Sequence, residues 1–485
     1  MAARAGDIHV PADHATIQAA LLAAADGDTI WVAPGVYFET IDFVGKDVAL
    51  LSVAGPSNTV IDGLHAGSAV TFASGEGPGA RLEGFQIHNG LAAGAGGGVF
   101  VVGSSPTIRK NVIFDNRATT FGGGIYLGDS SALVEHNKIE ANTVISPAGA
   151  GGGIAIVGAG NARVHANGIS ANSARRGGGV FLLDSGVVSI AGNSMIYNAC
   201  RCEGSAVDVL GASTATIERN VVYGSVAWLV PTGGQGPKLL FNTLIAKPSA
   251  MVPQGLVYAD GDQTSAEVYG NILAVEGAQT GLIVGPSGGG VAPHIAWNDV
   301  WAPNGNRYGG AIGDQTGING NLAVDPRFEA PSLNSYSLTR NSPLLDAGDP
   351  NYVPIGPSID GEQRVLDGDL DGVQRVDFGA EEFTNVRVFA QLMGTGEVYV
   401  QAWGTDGLRH EIYLATQSVE FADAPFGTRY IDFAAPWRKL LHNQPIVPPP
   451  GHAPQTFYAQ VLATNADGSA GNWSRRVEFQ MPQMP

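Results

Sequence analysis

From Thr29 onward, apolar and polar residues alternate with period two in runs of three to five, as in TIRKNVIFDN (107–116) and GGIYLG (123–128). That pattern predicts short half-buried strands. One earlier segment breaks it: in ATIQAALLAAADGD (15–28) the apolar residues cover one helical face. This predicts a single amphipathic helix over about residues 15–25, ended by Asp26-Gly27-Asp28.

The strands come in repeating units. An asparagine opening N-x-[IVL] recurs at Asn111, Asn137, Asn167, Asn193, Asn220, Asn242, Asn271 and Asn298, at steps of 26, 30, 26, 27, 22, 29 and 27. A second file runs through Asn89, Asn116, Asn142, Asn172 and Asn198. A third mark is a small-residue run before a β-branched residue, leading to Val99, Ile125, Ile154, Val180 and Val207. A unit of about three strands cannot bury its apolar face alone, whereas stacked units can. The fold class expected is all-β: a right-handed parallel β-helix of three sheets, with the N-terminal helix plugging its open end. Asparagine suits the tight turns through its tolerance of left-handed backbone and its stackable amide. Glycine permits the bends.

The stretch VPADHATIQAALLAAADGDTIWVAPGVYFETIDF resembles the start of β-helices of the pectin-lyase-like superfamily. The coil GGGIYLGDSSALVEHNKIEAN resembles its right-handed β-helix repeat members. DPRFEAPSLNSYSLTRNSPLLDAGDP and VDFGAEEF resemble the tail that such proteins carry. The resemblance covers roughly residues 8–383 and implies the fold. For location it implies the cell exterior or surface, as many members are secreted. It does not imply one activity, because this fold hosts many. GVYFE (35–39) resembles the opening motif of pectin methylesterases, but none of their later motifs follows, and Tyr37 and Glu39 read as structural.

The chain then divides into a cap (1–28), the β-helix (29–301), terminal coils with an Asp/Gly-rich closing segment (302–383), and residues 384–485. This last part loses the Gly-Asn rhythm. FYAQVLATNADGSAGNWSRRVEF within it resembles the last hairpin of a fibronectin type III-like sandwich.

Composition narrows the partners. The net charge of −18 argues against nucleic acid, and no apolar run reaches membrane-spanning length. Cys200 and Cys202, the two cysteines, form neither a disulfide framework nor a metal quartet.

Laying the coils in register points Val99/Val101, Ile125/Leu127, Ile154/Ile156, Val180/Leu182 and Val207/Val209 inward. Phe100, Tyr126, Ala155, Phe181 and Asp208 then point outward, one per coil. Three aromatic residues in five rungs make either a platform for sugar rings or a seam for self-association. The loops entering this sheet carry Arg117, Arg175, Arg176 and Arg201, with Glu203 nearby. If these arginines converge, they are suited to β-elimination on a uronic-acid polymer. One cation would neutralise the carboxylate, and Tyr126 or another base would take the proton. Asp367, Asp369 and Asp371 before Gly372 match the first half of a calcium loop, but position twelve is Phe378 rather than Glu. His136 and His165 fall one coil apart, close to stacking. Three functions fit: a polysaccharide lyase, a non-catalytic glycan-binding module, and a structural or adhesive surface protein. Convergent arginines predict the first, an open aromatic row the second, and a stripe covered by another chain the third.

Overall fold

The computed structural model describes residues 6–201, 204–246, 255–287, 292–333, 335–352, 359 and 375–383, plus eight backbone strands between 386 and 481. Three parallel sheets wrap a common core. The first has twelve strands, from Asp7–Val10 to His294–Ala296. The second has eleven, from Gly35–Phe38 to Asp299–Trp301. The third also has eleven, from Ile41–Asp42 to Asn306–Gly310. Each strand pairs with the equivalent strand one coil away, giving a parallel β-solenoid of about eleven turns. Val99, Val101, Ile125, Leu127, Ile154, Val180, Leu182, Val207 and Val209 are fully buried, which fixes the inward face of the third sheet as the alternation predicts.

The asparagines do a different job from the one their turn preference suggests. In the first file, each side-chain oxygen from Asn137 onward accepts the backbone N–H and the amide N–H of the asparagine one coil earlier, while that of Asn111 accepts the Phe85 N–H. For Asn111 and Asn137 the distances are 3.0 and 3.1 Å. The amide nitrogen of Asn111 also reaches the Leu82 carbonyl at 2.9 Å. This ladder runs unbroken through Asn298 to Asn321, wholly buried. The left-handed backbone falls instead on the preceding residue, among them Lys110 (φ 54), His136 (φ 54), Arg219 (φ 52) and Trp297 (φ 54). Left-handed backbone costs a non-glycine residue roughly 1–2 kcal/mol. Several hydrogen bonds per coil offset it.

The second file starts one residue later than the spacing suggests. Gly90, not Asn89, lies in register with Asn116, and its N–H donates to the Asn116 oxygen at 2.9 Å. Asn89 occupies the left-handed position instead (φ 57). This ladder, Asn116–Asn142–Asn172–Asn198, coincides with the glycine triplets. A short fourth ladder (Leu91–Ala92, Arg117–Ala118, Thr143–Val144) presses against them there. A Cβ on Gly152 would lie 2.5 Å from both the Gly178 carbonyl oxygen and the Ser173 nitrogen. Backbone therefore packs on backbone, and only glycine fits.

The capping helix is shorter than the pattern predicts, Ile17–Ala23, and a strand precedes it in the cap. Thr16 caps its start by accepting the Ala19 N–H, and the Glu39 carboxylate accepts those of Ile17 and Gln18, each at 2.9 Å. At the other end the Lys46 ammonium donates to the carbonyls of Leu21, Leu22 and Ala24. Opposite charges thus close the two ends of the helix dipole. Tyr37 donates to the Ala33 carbonyl at 2.9 Å, so it and Glu39 both have structural partners.

Two compact units divide the chain at 325/326. In the second, Tyr336, Leu338, Leu344, Val376 and Phe378 are buried. Asp377 is buried with them and accepts the N–H groups of Asp346 and Phe383. The later strands pair antiparallel, Val386–Leu392 with Val398–Gly404 and Arg409–Ala415 with Gln455–Thr464. Asp367, Asp369 and Asp371 lie outside the described residues.

Candidate functional site

The outer face of the third sheet carries two rows. The first reads Phe100, Tyr126, Ala155, Phe181, Asp208, Ala227, Tyr258 and Ile283 in register. The second reads Val102, Gly128, Val157, Leu183, Leu210, Leu229 and Asp260. Inward residues of these strands fill the core, so the outward ones must meet solvent or a covering loop. Phe100 and Tyr126 are half-buried, Phe181 is 2% exposed and Leu229 is 40% exposed. These two rows, hereafter the trough, are apolar apart from Tyr126, Asp208, Tyr258 and Asp260, and the first is the more buried.

Sequence reasoning missed Phe121. It stands just before its glycine triplet, in a bridge series with Ala95, Ala150 and Arg176. Its ring stacks on Tyr126 (centroids 6.3 Å) and, across the small Ala155, on Phe181 (6.1 Å). Phe100 stacks on Tyr126 at 5.6 Å. The signal was the bulky residue heading the triplet, which the register places beside the outward row. The rings face one another along the solenoid, so they form one stack rather than an open row of faces.

Arg117 stands apart from the other arginines. Arg176 donates to Asp208 one coil on, Nε to Oδ2 at 2.7 Å and Nη2 to Oδ1 at 3.2 Å. Asp208 is 1% exposed. Burial pushes its carboxyl above the usual carboxylate range, with the Arg176 contact working against that, while the same hydrogen bond raises Arg176. Arg117 lies 3.6 Å from Asp115, both well exposed. Arg175 and Arg201 are exposed on successive coils, joined by a backbone bond from Arg201 N–H to Arg175 O. No contact among the described residues unites Arg117, Arg175 and Arg176. Burial, aided by Asp129, raises the Tyr126 phenol, so it keeps its proton and is ill-suited to act as a base.

Glu203 and Cys202 lie outside the described residues, and Cys200 is disulfide-bonded. His136 and His165 do not stack. Glu135 pairs with His165 in the first sheet, leaving His136 one position off, and His165 instead contacts the Ser189 hydroxyl at 2.8 Å.

Residues 54–226, about a third of the chain, match the family model described as periplasmic copper-binding protein (NosD). It is a right-handed β-helix family of the pectin-lyase-like superfamily. The matched coils carry the glycine triplets, the whole second asparagine ladder and the first from Asn111 to Asn220. No curated protein matches the chain.

Copper requires a converging set of soft or imidazole ligands. Among the described residues no three His, Cys, Asp or Glu side chains group to hold a metal. Met195 is sealed in the core and Cys200 is bonded. The described residues therefore do not fit the metal in that family's description.

Proposed function

We propose that the protein is a β-helix acting outside the cytoplasm that binds extended polysaccharide along the outer face of its third sheet without cleaving it. The observation that carries this reading is the trough itself: a largely apolar outward face several rungs long, with exposed Arg175 and Arg201 on the loops that enter its sheet. A glycan laid along it meets ring edges and the aliphatic row, so binding rests on buried apolar area. Cleavage by elimination asks for a free cation and a competent base. Arg175 and Arg201 offer cations, but Arg176 is occupied by Asp208, and Tyr126, the base the sequence suggests, holds its proton. Location outside the cytoplasm is supported by the word periplasmic in the matched family's description. No helix among the described residues is long and apolar enough to cross a membrane. The C-terminal strands, antiparallel and alternating, support a fibronectin type III-like accessory domain.

Calorimetric titration with soluble oligosaccharides tests the proposal. Binding should weaken about fivefold for each of Phe100→Ala and Tyr126→Ala, roughly 1 kcal/mol apiece. Ultraviolet absorbance from an unsaturated product should stay flat. Absence of binding to every glycan would overturn the reading. A rising absorbance that vanishes in Arg176→Gln would restore the lyase.

A further inference from the structure

Arg175, Arg176 and Arg201 stand together at one edge of the trough, on successive coils of an acidic protein. Arg175 and Arg201 carry no ion pair among the described residues, and their backbones touch. Like charges held one rung apart repel, and the repulsion is relieved when an anion lies across them. Arg176 differs from both. Its guanidinium is turned onto a carboxylate on the trough floor, although it remains about a third exposed (37%). Asp208 fills the place on the outward row held by Phe181 on one side and Ala227 on the other, neither of which titrates. A carboxylate buried in that apolar row is costly unless paired. Its two-point grip on Arg176 has the geometry with which an arginine receives a carboxylate or sulfate from a ligand.

We propose that Asp208 is a built-in stand-in for an anionic ligand group: it occupies Arg176 until a carboxylate or sulfate of the bound glycan, led in by Arg175 and Arg201, takes its place. This rests on the trough being the glycan site. No covalent step is involved. The exchange swaps one anion for another on Arg176, and it becomes easier when Asp208 takes up a proton. Burial favours that uptake by raising the Asp208 carboxyl.

Three probes separate the sources: dextran (neutral), dextran sulfate and polygalacturonate (carboxylate), titrated into the full chain. Dextran sulfate and polygalacturonate should both bind more tightly than dextran and weaken with added salt. Asp208→Asn should tighten the anionic polymers by about tenfold relative to dextran, the worth of one charge-assisted contact. Adding Arg176→Gln to Asp208→Asn should abolish the gain. Should Asp208→Asn fail to fold, the wild type gives a second readout. Dextran sulfate keeps its charge, so its binding should strengthen as the pH is lowered and Asp208 takes up its proton in wild type, and not in Arg176→Gln. If Asp208→Asn folds and binds all three polymers as wild type does, or if the pH dependence is the same without Arg176, the inference falls. If dextran binds and the anionic polymers bind no better, the inference falls and the glycan reading stands. If nothing binds, both fall.

Discussion

The side-chain oxygen of Asn193 accepts both the backbone N–H and the amide N–H of Asn167, at 2.9 and 3.1 Å, with both residues buried. The Asn193 amide in turn donates to Val164 O, Ala191 O and Asn220 Oδ1. Asn193→Ala strands the buried Asn167 N–H and removes several bonds at once. A loss of about 2–4 kcal/mol is expected by chemical denaturation. Asn193→Asp should do no better, because a carboxylate cannot donate to Val164 O. Asn89→Ala is the control. It lies outside both ladders, its amide makes one bond, to Asp62 Oδ2 at 3.0 Å, and Ala141 and Ala171 take the same left-handed position in later coils (both φ 54), so it should cost only about 1 kcal/mol.

Two glycines make a matched pair. Gly152→Ala places a methyl where the Gly178 carbonyl and Ser173 nitrogen already sit, so it should force the coils apart and lower the melting temperature sharply. Gly168 has nothing within 4 Å of its missing Cβ and is not left-handed. Gly168→Ala should be neutral or stabilising by about 0.5 kcal/mol, through the unfolded chain. Equal effects from the two would show that the glycine triplets are not close-approach points.

Period-two alternation and the asparagine steps make the solenoid, its inward residues and its first ladder legible, because each coil repeats one local pattern. The second file slips by one at Asn89, since spacing alone cannot tell a turn residue from the ladder residue after it. The same blindness assigns the left-handed backbone to asparagine rather than to its predecessor. Phe100, Tyr126, Phe181 and Asp208 follow from register, but their exposure does not. Phe181 and Asp208 are buried by contacts from beyond their own strands. The Arg176–Asp208 pair spans 32 residues and joins a loop to the next coil's strand, which no local periodicity encodes.

Glu39 and Lys46 hold the capping helix from its two ends, and this makes the N-terminal plug separable from the coils. Glu39→Ala should release the Ile17 and Gln18 N–H groups at a cost of about 1–2 kcal/mol. Hydrogen exchange should show faster exchange in Ile17–Ala23 with the ladder amides unchanged. A uniform loss of protection along the solenoid would mean instead that the cap is needed for the stability of every coil.

Asp299 gives the solenoid a pH dependence of defined sign. Its side chain is fully buried at the last rung of the second sheet, where Oδ1 accepts the Val324 N–H at 2.8 Å and Oδ2 has no hydrogen-bond partner among the described residues. Burial first, with Asp325 adding to it, pushes the carboxyl up to about 7, and the Val324 bond only partly opposes this. A carboxyl raised on folding binds its proton more tightly in the native state. Its stabilising contribution is therefore complete below the unfolded value near 4 and is lost as pH rises through about 7. Wild-type stability should fall by on the order of 2–4 kcal/mol across that window from this group. Asp299→Asn keeps an acceptor for Val324 and cannot ionise, so it should flatten the fall and leave the variant the more stable protein at about pH 8. Thermal melts of both proteins between about pH 4 and about pH 8 decide it: parallel curves would mean that the Asp299 carboxyl titrates alike in the folded and unfolded chain.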